Sequence, residues 1–533
     1  MPAELLPGGR VRVPDRPPLP PDLRHLNVRD LLAEAVAAQP DRPVVVTRSS
    51  EMSYRELDDL SSRAAALWQS MGVGKGDRVA IIVGNQPEFL VVWFGLMKIG
   101  AVLAAINTRW RRGEIQYVLE KVTPNHLLAD DEHLDEARAA TADDVIALDD
   151  FLSRLQDVPP AYDAPDLEAD DLISLIFTSG TTGFPKAVQQ THGNFVMTGQ
   201  AYPTWLGLEP GDRLYTFMPL YHLNSQAYLT MTTLALHGTM ILVEKFSASR
   251  FWDDVRKYRV NTFSGIPAVL LILLKLPPGP HEREHEVRMV YGYLDPEPRR
   301  EFEERLGVRT ISGFGMSECT FGAMWPRTGK PAPLTSIGKP RRHPHPEFVN
   351  EMKVVDDDGQ EVPQGELGEL IVRNPGLAHG YFNDPELTDA AFKDGWLYSG
   401  DIGKVDADGF FFFLDGKKDV LRKKGENISS IEVEAVIGAH PSVEEAALVG
   451  IPAELGEDEL VAFVKCLDGK TVEPRELTDL VASKLADFKV PRFVQFVDSF
   501  PMTGSGKIQK AVLRDSWVDE ASWWDREAAD LRR

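Results

Sequence analysis

Cysteine is nearly missing. Cys319 and Cys466 are the only two in 533 residues, too few for a disulfide framework or a cysteine-rich zinc site, and a chain this long needs no covalent staple. A reducing compartment is the expectation. Positive charge is also short: 58 Lys+Arg against 81 Asp+Glu give a formal charge of −23. That balance opposes nucleic acid and anionic membrane as general partners, since both are already polyanions, and leaves room only for a local basic pocket. No long apolar run is unbroken. The longest, Phe89 to Ile106, is interrupted by Gly95, Lys98 and Gly100, so it predicts a buried helix and not a membrane span. The stretch Met1 to Pro21 is rich in Pro and Gly, carries Arg10, Arg12 and Arg16, and lacks the apolar core of a signal peptide. It reads as a surface arm, and the whole as a soluble, cytoplasmic protein.

What is present is enough apolar material for several cores. The residues are 43% hydrophobic, and at roughly 100–200 residues per domain the length allows about three or four folding units. Helical patterns such as LLAEAVAAQ and YRELDDLSSRAAALWQSMG alternate with strand-like runs such as DRVAIIV, DLISLIFTSG, TMILVEKF, VNTFSGIP and VRMVYGYL up to about Ile311. That alternation predicts an α/β fold with parallel or mixed sheets. Between Glu347 and Phe413 the texture turns to β-branched runs separated by Asp358-Gly359 and Asp408-Gly409, which predicts antiparallel strands. From Ile431 a compact α+β pattern returns. The expected division is an N-terminal arm over 1–25, a large domain over 26–415 with a β-rich subdomain at about 345–415, and a small C-terminal α+β domain over 419–533, with a hinge near 415–419.

Four segments carry chemistry. Thr178-Ser179-Gly180-Thr181-Thr182-Gly183-Phe-Pro-Lys186 follows the apolar run Leu172 to Phe177 and precedes the helix-like Thr191-His-Gly-Asn-Phe. A strand, a loop of Gly, Ser and Thr, and a helix make a phosphate cradle: glycines let backbone N–H groups turn inward, hydroxyls donate and Lys adds charge. It lacks the G-x-x-x-x-G-K-[ST] spacing of a Walker loop, which disfavours a P-loop kinase or ATPase. Downstream, Gly313-Phe314-Gly315-Met316-Ser317-Glu318 places one carboxylate after a Gly-containing turn, suited to a Mg²⁺ ion that takes its other ligands from phosphate and water. Asp401, after the turn in DGWLYSGD, suits two ribose hydroxyls. Finally PMTGSGKIQK puts Lys507 on a Gly-rich loop of the small domain.

In this order and spacing the four segments resemble the adenylate-forming superfamily of acyl-CoA synthetases, peptide-synthetase adenylation domains and luciferases. The resemblance runs from about Leu26 to Trp517. Asn85-Gln-Pro-Glu-Phe, Met218-Pro-Leu-Tyr-His222, Ser336-Ile-Gly-Lys-Pro340, Gly380-Tyr-Phe-Asn-Asp384 and Gly425-Glu-Asn-Ile-Ser support it. Within the superfamily, Tyr291-Gly-Tyr-Leu-Asp295 and Gly425-Glu-Asn427 look closest to carnitine or crotonobetaine-CoA ligase-like proteins.

The resemblance implies an AMP-forming ligase working in two half-reactions. A carboxylic acid attacks the α-phosphate of ATP and releases pyrophosphate; a nucleophile, commonly the thiol of CoA, then displaces AMP. Carried over by motif, Thr178 to Lys186 would hold the β- and γ-phosphates, Glu318 would position Mg²⁺, Asp401 would bind the ribose, and Tyr293 and Asp295 with the turn 313–317 would border the nucleotide. Lys507 would bridge the substrate carboxylate and the α-phosphate, where a cation stabilises developing charge. His222 would sit at the mouth of the acyl pocket, built from Tyr221 to Gln226, Ser312 to Gly315 and residues near Met324 and Trp325. Lys418 would be the hinge, and rotation of the small domain would bring Gly425 to the thiol channel in place of Lys507. Homodimers are common in such families, and no sequence feature marks an interface.

The chain departs from the family pattern in places. Gly416 stands at the usual Arg position of the hinge segment, the adenine loop reads Gly292-Tyr-Leu-Asp-Pro296, and Phe314 replaces a common Tyr. These leave two alternatives beside the CoA ligase: an adenylating enzyme with another acceptor (a carrier-protein thiol, an amine, or adenylated nitrite used on an amine), and a nucleotide-binding paralogue without turnover. The segment Arg341-Arg-His-Pro-His-Pro-Glu347 holds two His and a Glu, but its prolines enforce an extended chain, so it reads as a surface loop and not a metal site. Cys319, without a base partner, reads as a bystander.

Overall fold

The computed structural model describes residues 2–178, 185–279, 281–416, 421–423, 426–452, 458–485, 487–502, 508–516 and 523–530. The chain forms two compact units: Met1–Lys353 with Ile371–Tyr398 and Asp408–Phe411, and Val354–Leu370 with Ser399–Ala407 and Phe412–Arg533. Among the described residues, no helix is long and apolar enough to cross a membrane.

Two sheets organise the first unit. In the smaller, the strands run Lys186–Thr191, Leu172–Thr178, Val102–Ala105, Arg78–Ile82, His126–Ala129 and Val145–Ala147, all parallel except the antiparallel first pair. The larger runs Arg309–Ile311, Met289–Tyr291, Thr262–Ser264, Arg213–Thr216, Thr239–Leu242, Pro43–Val46 and Glu51–Ser53, parallel until the last pair. The central strands are short apolar runs buried on both faces, the pattern of parallel sheets covered by helices. Parallel strands bring their carboxyl ends to one edge, and the loops leaving that edge are where ligands bind in α/β folds. The expected α/β fold is what forms.

Helix Tyr54–Ser70 begins with a capping box: Glu56 N–H donates to Ser53 Oγ at 3.2 Å and Ser53 N–H to Glu56 Oε2 at 2.7 Å. It packs on helix Pro87–Lys98, the first part of the predicted buried run. A Cβ on Gly95 would fall 2.6 Å from Ala64 Cβ, so glycine sets that close approach. Lys98 is buried yet satisfied. Its ammonium donates to Asp58 Oδ1 at 2.6 Å, to Asp58 O at 2.8 Å and to Ser62 Oγ at 2.7 Å, while burial lowers its pKa.

In the second unit, strands Val443–Pro452, Asp458–Cys466, Phe493–Phe496 and Trp523–Asp525 form one sheet, with only the middle pair parallel. Helices Ser430–Gly438 and Pro474–Lys484 supply Val433, Ile437, Leu477 and Val481 to a core shared with Leu448, Leu460, Val464 and Val494. Trp523 lies edge-on to Phe493 at 4.7 Å, a packing contact.

Two segments read as surface are drawn inward. Val11 and Val13 of the N-terminal arm are buried, because the Gln189 side chain pairs with the Val11 backbone as a strand would: Val11 N–H donates to Oε1 at 3.0 Å and Nε2 donates to Val11 O at 2.9 Å. In the proline-rich segment, Arg341 and His343 are buried. His343 packs between Phe321 and Phe348 with ring centroids at 5.9 and 5.0 Å. Only the remainder of that segment follows the surface reading, and among the described residues no cluster of three His, Cys, Asp or Glu is placed to hold a metal.

Candidate active site

The first element is the rim of the expected phosphate loop. Thr178 and Lys186 are cross-strand partners of the antiparallel pair Leu172–Thr178 and Lys186–Thr191; Ser179, Gly180, Thr181, Thr182 and Gly183 lie outside the described residues. Segment 379–382 runs antiparallel along the second strand. His379 N–H donates to Gln189 O at 3.1 Å, Gln189 N–H to Gly380 O at 3.0 Å, and Phe382 N–H to Ala187 O at 2.8 Å. Gly380 is required there: its φ is +85° and a Cβ would meet Thr388 Cγ2 at 2.4 Å. This pairing sets the Lys186 ammonium 5.2 Å from the centroid of the Tyr381 ring, a cation–π contact.

Tyr381 then reaches the acidic element. Its hydroxyl donates to Glu318 Oε1 at 2.7 Å. Burial, and the neighbouring Glu318 charge, push the Tyr381 phenol pKa upward, so the hydroxyl keeps its proton and stays a donor. Glu318 is itself buried, and its backbone O accepts from Ala378 N–H at 2.9 Å. Gln190 Nε2 donates to Ser317 O at 2.5 Å, while Gln190 Oε1 accepts from Asn194 Nδ2 at 3.1 Å. The strand that carries Lys186 thus also fixes the backbone before Glu318. Oε2 of Glu318 takes no hydrogen bond from the described residues, which leaves one carboxylate oxygen for a cation. One carboxylate without an acidic cluster fits Mg²⁺ shared with phosphate oxygens, not an all-protein cage.

Strand Gly313–Met316 pairs antiparallel with Cys319–Met324, which turns Glu318 back beside the strand. Gly315 is exposed. Next to it, Gly292 follows strand Met289–Tyr291 at the carboxyl edge; its N–H donates to Ile311 O at 3.0 Å, and a Cβ there would fall 2.4 Å from Gly265 O. The chain continues to Tyr293, whose hydroxyl donates to Asp295 Oδ1 at 3.0 Å. Burial first, then Asp295, raises the Tyr293 pKa.

The loop after strand Arg213–Thr216 carries His222. Asn85 pins this loop: Nδ2 donates to Met218 O at 3.1 Å and to Val243 O at 3.2 Å, and Oδ1 accepts from Leu220 N–H at 2.9 Å. Gln226 adds a donor to Leu220 O at 2.9 Å and accepts from Ser174 Oγ at 2.8 Å. A π-helical turn, Asn224–Thr230, follows, a local widening common at functional sites. Burial, then Arg109, lowers the His222 pKa to about 4. The imidazole is neutral at pH 7.

The chain and its fold match known proteins. The profile of the AMP-binding enzyme family covers residues 32–382, and that of the AMP-binding enzyme C-terminal domain covers residues 432–507. This chain belongs to the AMP-binding enzyme family. It is 33% identical over 517 residues to crotonobetaine/carnitine–CoA ligase of Salmonella enteritidis PT4, with 92% of this chain and 99% of that protein covered. Among solved structures, ATP-bound MatB from Rhodopseudomonas palustris is similar at TM-score 0.81 and 27% identity, covering 93% of this chain and 99% of that one. The anthranilate CoA ligase AuaEII in complex with anthranoyl-AMP is similar at TM-score 0.84 and 26% identity, covering 93% and 98%.

In this AMP-binding enzyme the structure brings Thr178, Lys186, Ser317 and Glu318 together through Tyr381 and Gln190. Gly313, Phe314, Gly315 and Met316 lead into that turn, and Tyr293 and Asp295 pair with each other one loop away. Asp401 stands on strand Trp396–Val405 in the second unit, its N–H donating to Ser399 Oγ at 3.1 Å. Lys418, Gly425 and Lys507 lie outside the described residues. Sequence reading missed Tyr381, Gln190 and Asn85 as parts of the site, although Asn85 and Tyr381 stand inside motifs that marked the family, while Gln226 falls in the stretch expected to line the acyl pocket. Cys319 is buried, and burial pushes its thiol up to about 11, which agrees with a bystander.

Proposed function

We propose that this chain is an AMP-forming ligase that activates a carboxylic acid with Mg-ATP and transfers the acyl group to the thiol of CoA. The observation that carries the reading is the line Lys186, Tyr381, Glu318: a cation at the rim of the phosphate loop and a carboxylate with one oxygen tied by a phenol and the other without a partner among the described residues. Mg²⁺, when bound at Glu318, supplies charge neutralisation for the phosphates.

In the first half-reaction a substrate carboxylate oxygen bonds to the α-phosphorus and the bond to the bridging oxygen of pyrophosphate breaks, with that oxygen keeping the electron pair. Thr178 and Lys186 would face the departing phosphates, and Lys507 would stabilise the charge building between carboxylate and α-phosphate. In the second, the CoA sulfur bonds to the acyl carbon, AMP leaves with the pair, and the thiol proton passes to solvent. Neutral His222, held by the Asn85-pinned loop, would border the acid. Lys507 serves the first step and Gly425 the second, on the small C-terminal domain with its hinge at Lys418. Both substrates and the unbridged cysteines suit the cytoplasm.

The test is pyrophosphate release from Mg-ATP across a panel of carboxylic acids, with and without CoA, using Lys507→Ala as control. Acid-dependent release lost in the variant, with AMP and a thioester formed when CoA is added, is the expected result. Release with no thioester would move the acceptor to a carrier thiol or an amine. ATP binding without release from any acid would mean a protein without turnover.

A further inference from the structure

Arg341 is buried, at 2% exposure, with no carboxylate beside it among the described residues. Its guanidinium donates only to neutral oxygens: Nε to Ala323 O at 3.1 Å, Nη1 to Thr320 O at 2.6 Å and Tyr228 Oη at 2.8 Å, and Nη2 to Tyr291 Oη at 2.8 Å. Nη2 carries two N–H groups and makes this one bond among the described residues. The guanidinium carbon lies 4.9 Å from the Trp205 ring, 5.5 Å from Tyr228 and 5.8 Å from Tyr291. Removing a cation from water without a counter-anion is costly, and carbonyls and aromatic faces offset only part of that cost.

The position of this charge gives it a use. Tyr228 lies on the π-helical turn that follows His222, and Ala323 is on the strand that follows Glu318. A Cβ on Gly313 would fall 2.9 Å from Arg341 Nη2, and one on Gly315 would fall 3.1 Å from Tyr228 Oη and 3.5 Å from Arg341 Nη1. The guanidinium therefore packs against the strand leading to Glu318 where Gly313 and Gly315 leave room for it. Tyr291, half-buried at the carboxyl edge, accepts from Arg341 and donates its own proton to no described residue. Arg341 thus lies against two of the three stretches expected to border the acid, Ser312 to Gly315 and the residues near Met324, and through Tyr228 reaches the turn just after the third.

We propose that Arg341, acting through the Tyr291 hydroxyl, reads the far end of the acid, and that the acid carries a second anionic group. This rests on the ligase reading above. The uncompensated cation meets its counter-charge when such a substrate binds. The same arrangement rejects a quaternary ammonium: the aromatic rings that would cage one already hold the chain's own guanidinium, which repels a second cation. The specificity therefore differs from what the name of the Salmonella relative, crotonobetaine/carnitine–CoA ligase, describes.

The experiment measures kcat/KM for pyrophosphate release by the full chain with three acids of matched length: a monocarboxylate, the corresponding dicarboxylate and the corresponding trimethylammonium betaine. It is repeated in Arg341→Gln and in Tyr291→Phe. The expected result is a preference of about tenfold or more for the dicarboxylate over the monocarboxylate, the scale of one charge-assisted hydrogen bond, with the betaine last. That preference falls toward unity in both variants while the KM for ATP is unchanged. Should Arg341→Gln not fold, Tyr291→Phe carries the test alone, since it removes one oxygen from a half-buried ring. A betaine used as well as the dicarboxylate, or a preference untouched by the variants, overturns the inference and leaves the ligase intact. ATP binding with no release from any acid overturns both.

Discussion

The Tyr381 hydroxyl and Glu318 Oε1 meet at 2.7 Å across 63 residues of chain, and this bond ties the acidic element to the strand that carries Lys186. It leaves the carboxylate one fixed orientation, so the open oxygen faces a defined direction. In Tyr381→Phe the ring stays under Lys186 while Glu318 loses its only described side-chain partner. A hydrogen bond to a charged group contributes roughly 1.5–3 kcal/mol. The expected outcome is kcat/KM for Mg-ATP about tenfold to a hundredfold lower, with the Mg²⁺ dependence moved to higher concentration. Titrating Mg²⁺ at fixed ATP checks it; an unmoved Mg²⁺ curve would assign the phenol to packing.

The Asn85 side chain makes three hydrogen bonds that hold Met218, Leu220 and Val243 in register. Asn85→Ala leaves the Val243 carbonyl and the Leu220 N–H seeking new partners, with Met218 O still held by Ser225 Oγ at 2.9 Å, which costs about 1–3 kcal/mol of stability. Because the freed loop carries His222, the KM for the acid is expected to rise while ATP affinity holds. Denaturant unfolding together with a KM comparison for the two substrates separates this from general damage, which would raise both.

Much of this was legible in the sequence because it is local. The apolar run Leu172 to Phe177 announces a strand through composition alone, and strand Leu172–Thr178 stands there. The buried run before Ile106 resolved as helix Pro87–Lys98 and strand Val102–Ala105, with Lys98 satisfied by a neighbouring helix that the run itself does not contain. Arg341 shows where local reading stops. Its prolines signal an extended segment, and extended chain is as compatible with burial as with exposure. What buries Arg341 is Tyr228 and Tyr291, 113 and 50 residues away, and no spacing rule links them. Gln189 likewise folds the N-terminal arm inward through a side chain 178 residues from Val11.

Gly292 tests the altered adenine loop. A methyl group there would fall 2.4 Å from Gly265 O and 2.7 Å from Leu270 Cδ1, so Gly292→Ala must move one of two adjoining backbones at the carboxyl edge. The strain expected is about 1–3 kcal/mol, and Tyr293, the next residue, moves with it. AMP and ATP affinity measured by calorimetry should fall several-fold, with the acid preference unaltered. Unchanged nucleotide affinity would place the nucleotide base elsewhere.

Acid sensitivity follows from histidines buried in their neutral form. Burial lowers His192 to about 3 and His222 to about 4, whereas an unfolded chain titrates near the ordinary value of about 6.5. Between these values the unfolded state binds more protons than the folded one, so stability falls as pH drops below about 6.5 and stops falling below each folded value. Each group accounts for about 2 kcal/mol lost between pH 7 and pH 5. His192 Nδ1 accepts from Val28 N–H at 3.2 Å, a bond that an Asn oxygen can keep, so His192→Asn removes the titration while preserving the acceptor. The variant should show a shallower decline of unfolding free energy between pH 7 and pH 5 than the parent chain, by up to one proton in slope. A parallel decline in both proteins would locate the acid response in other groups.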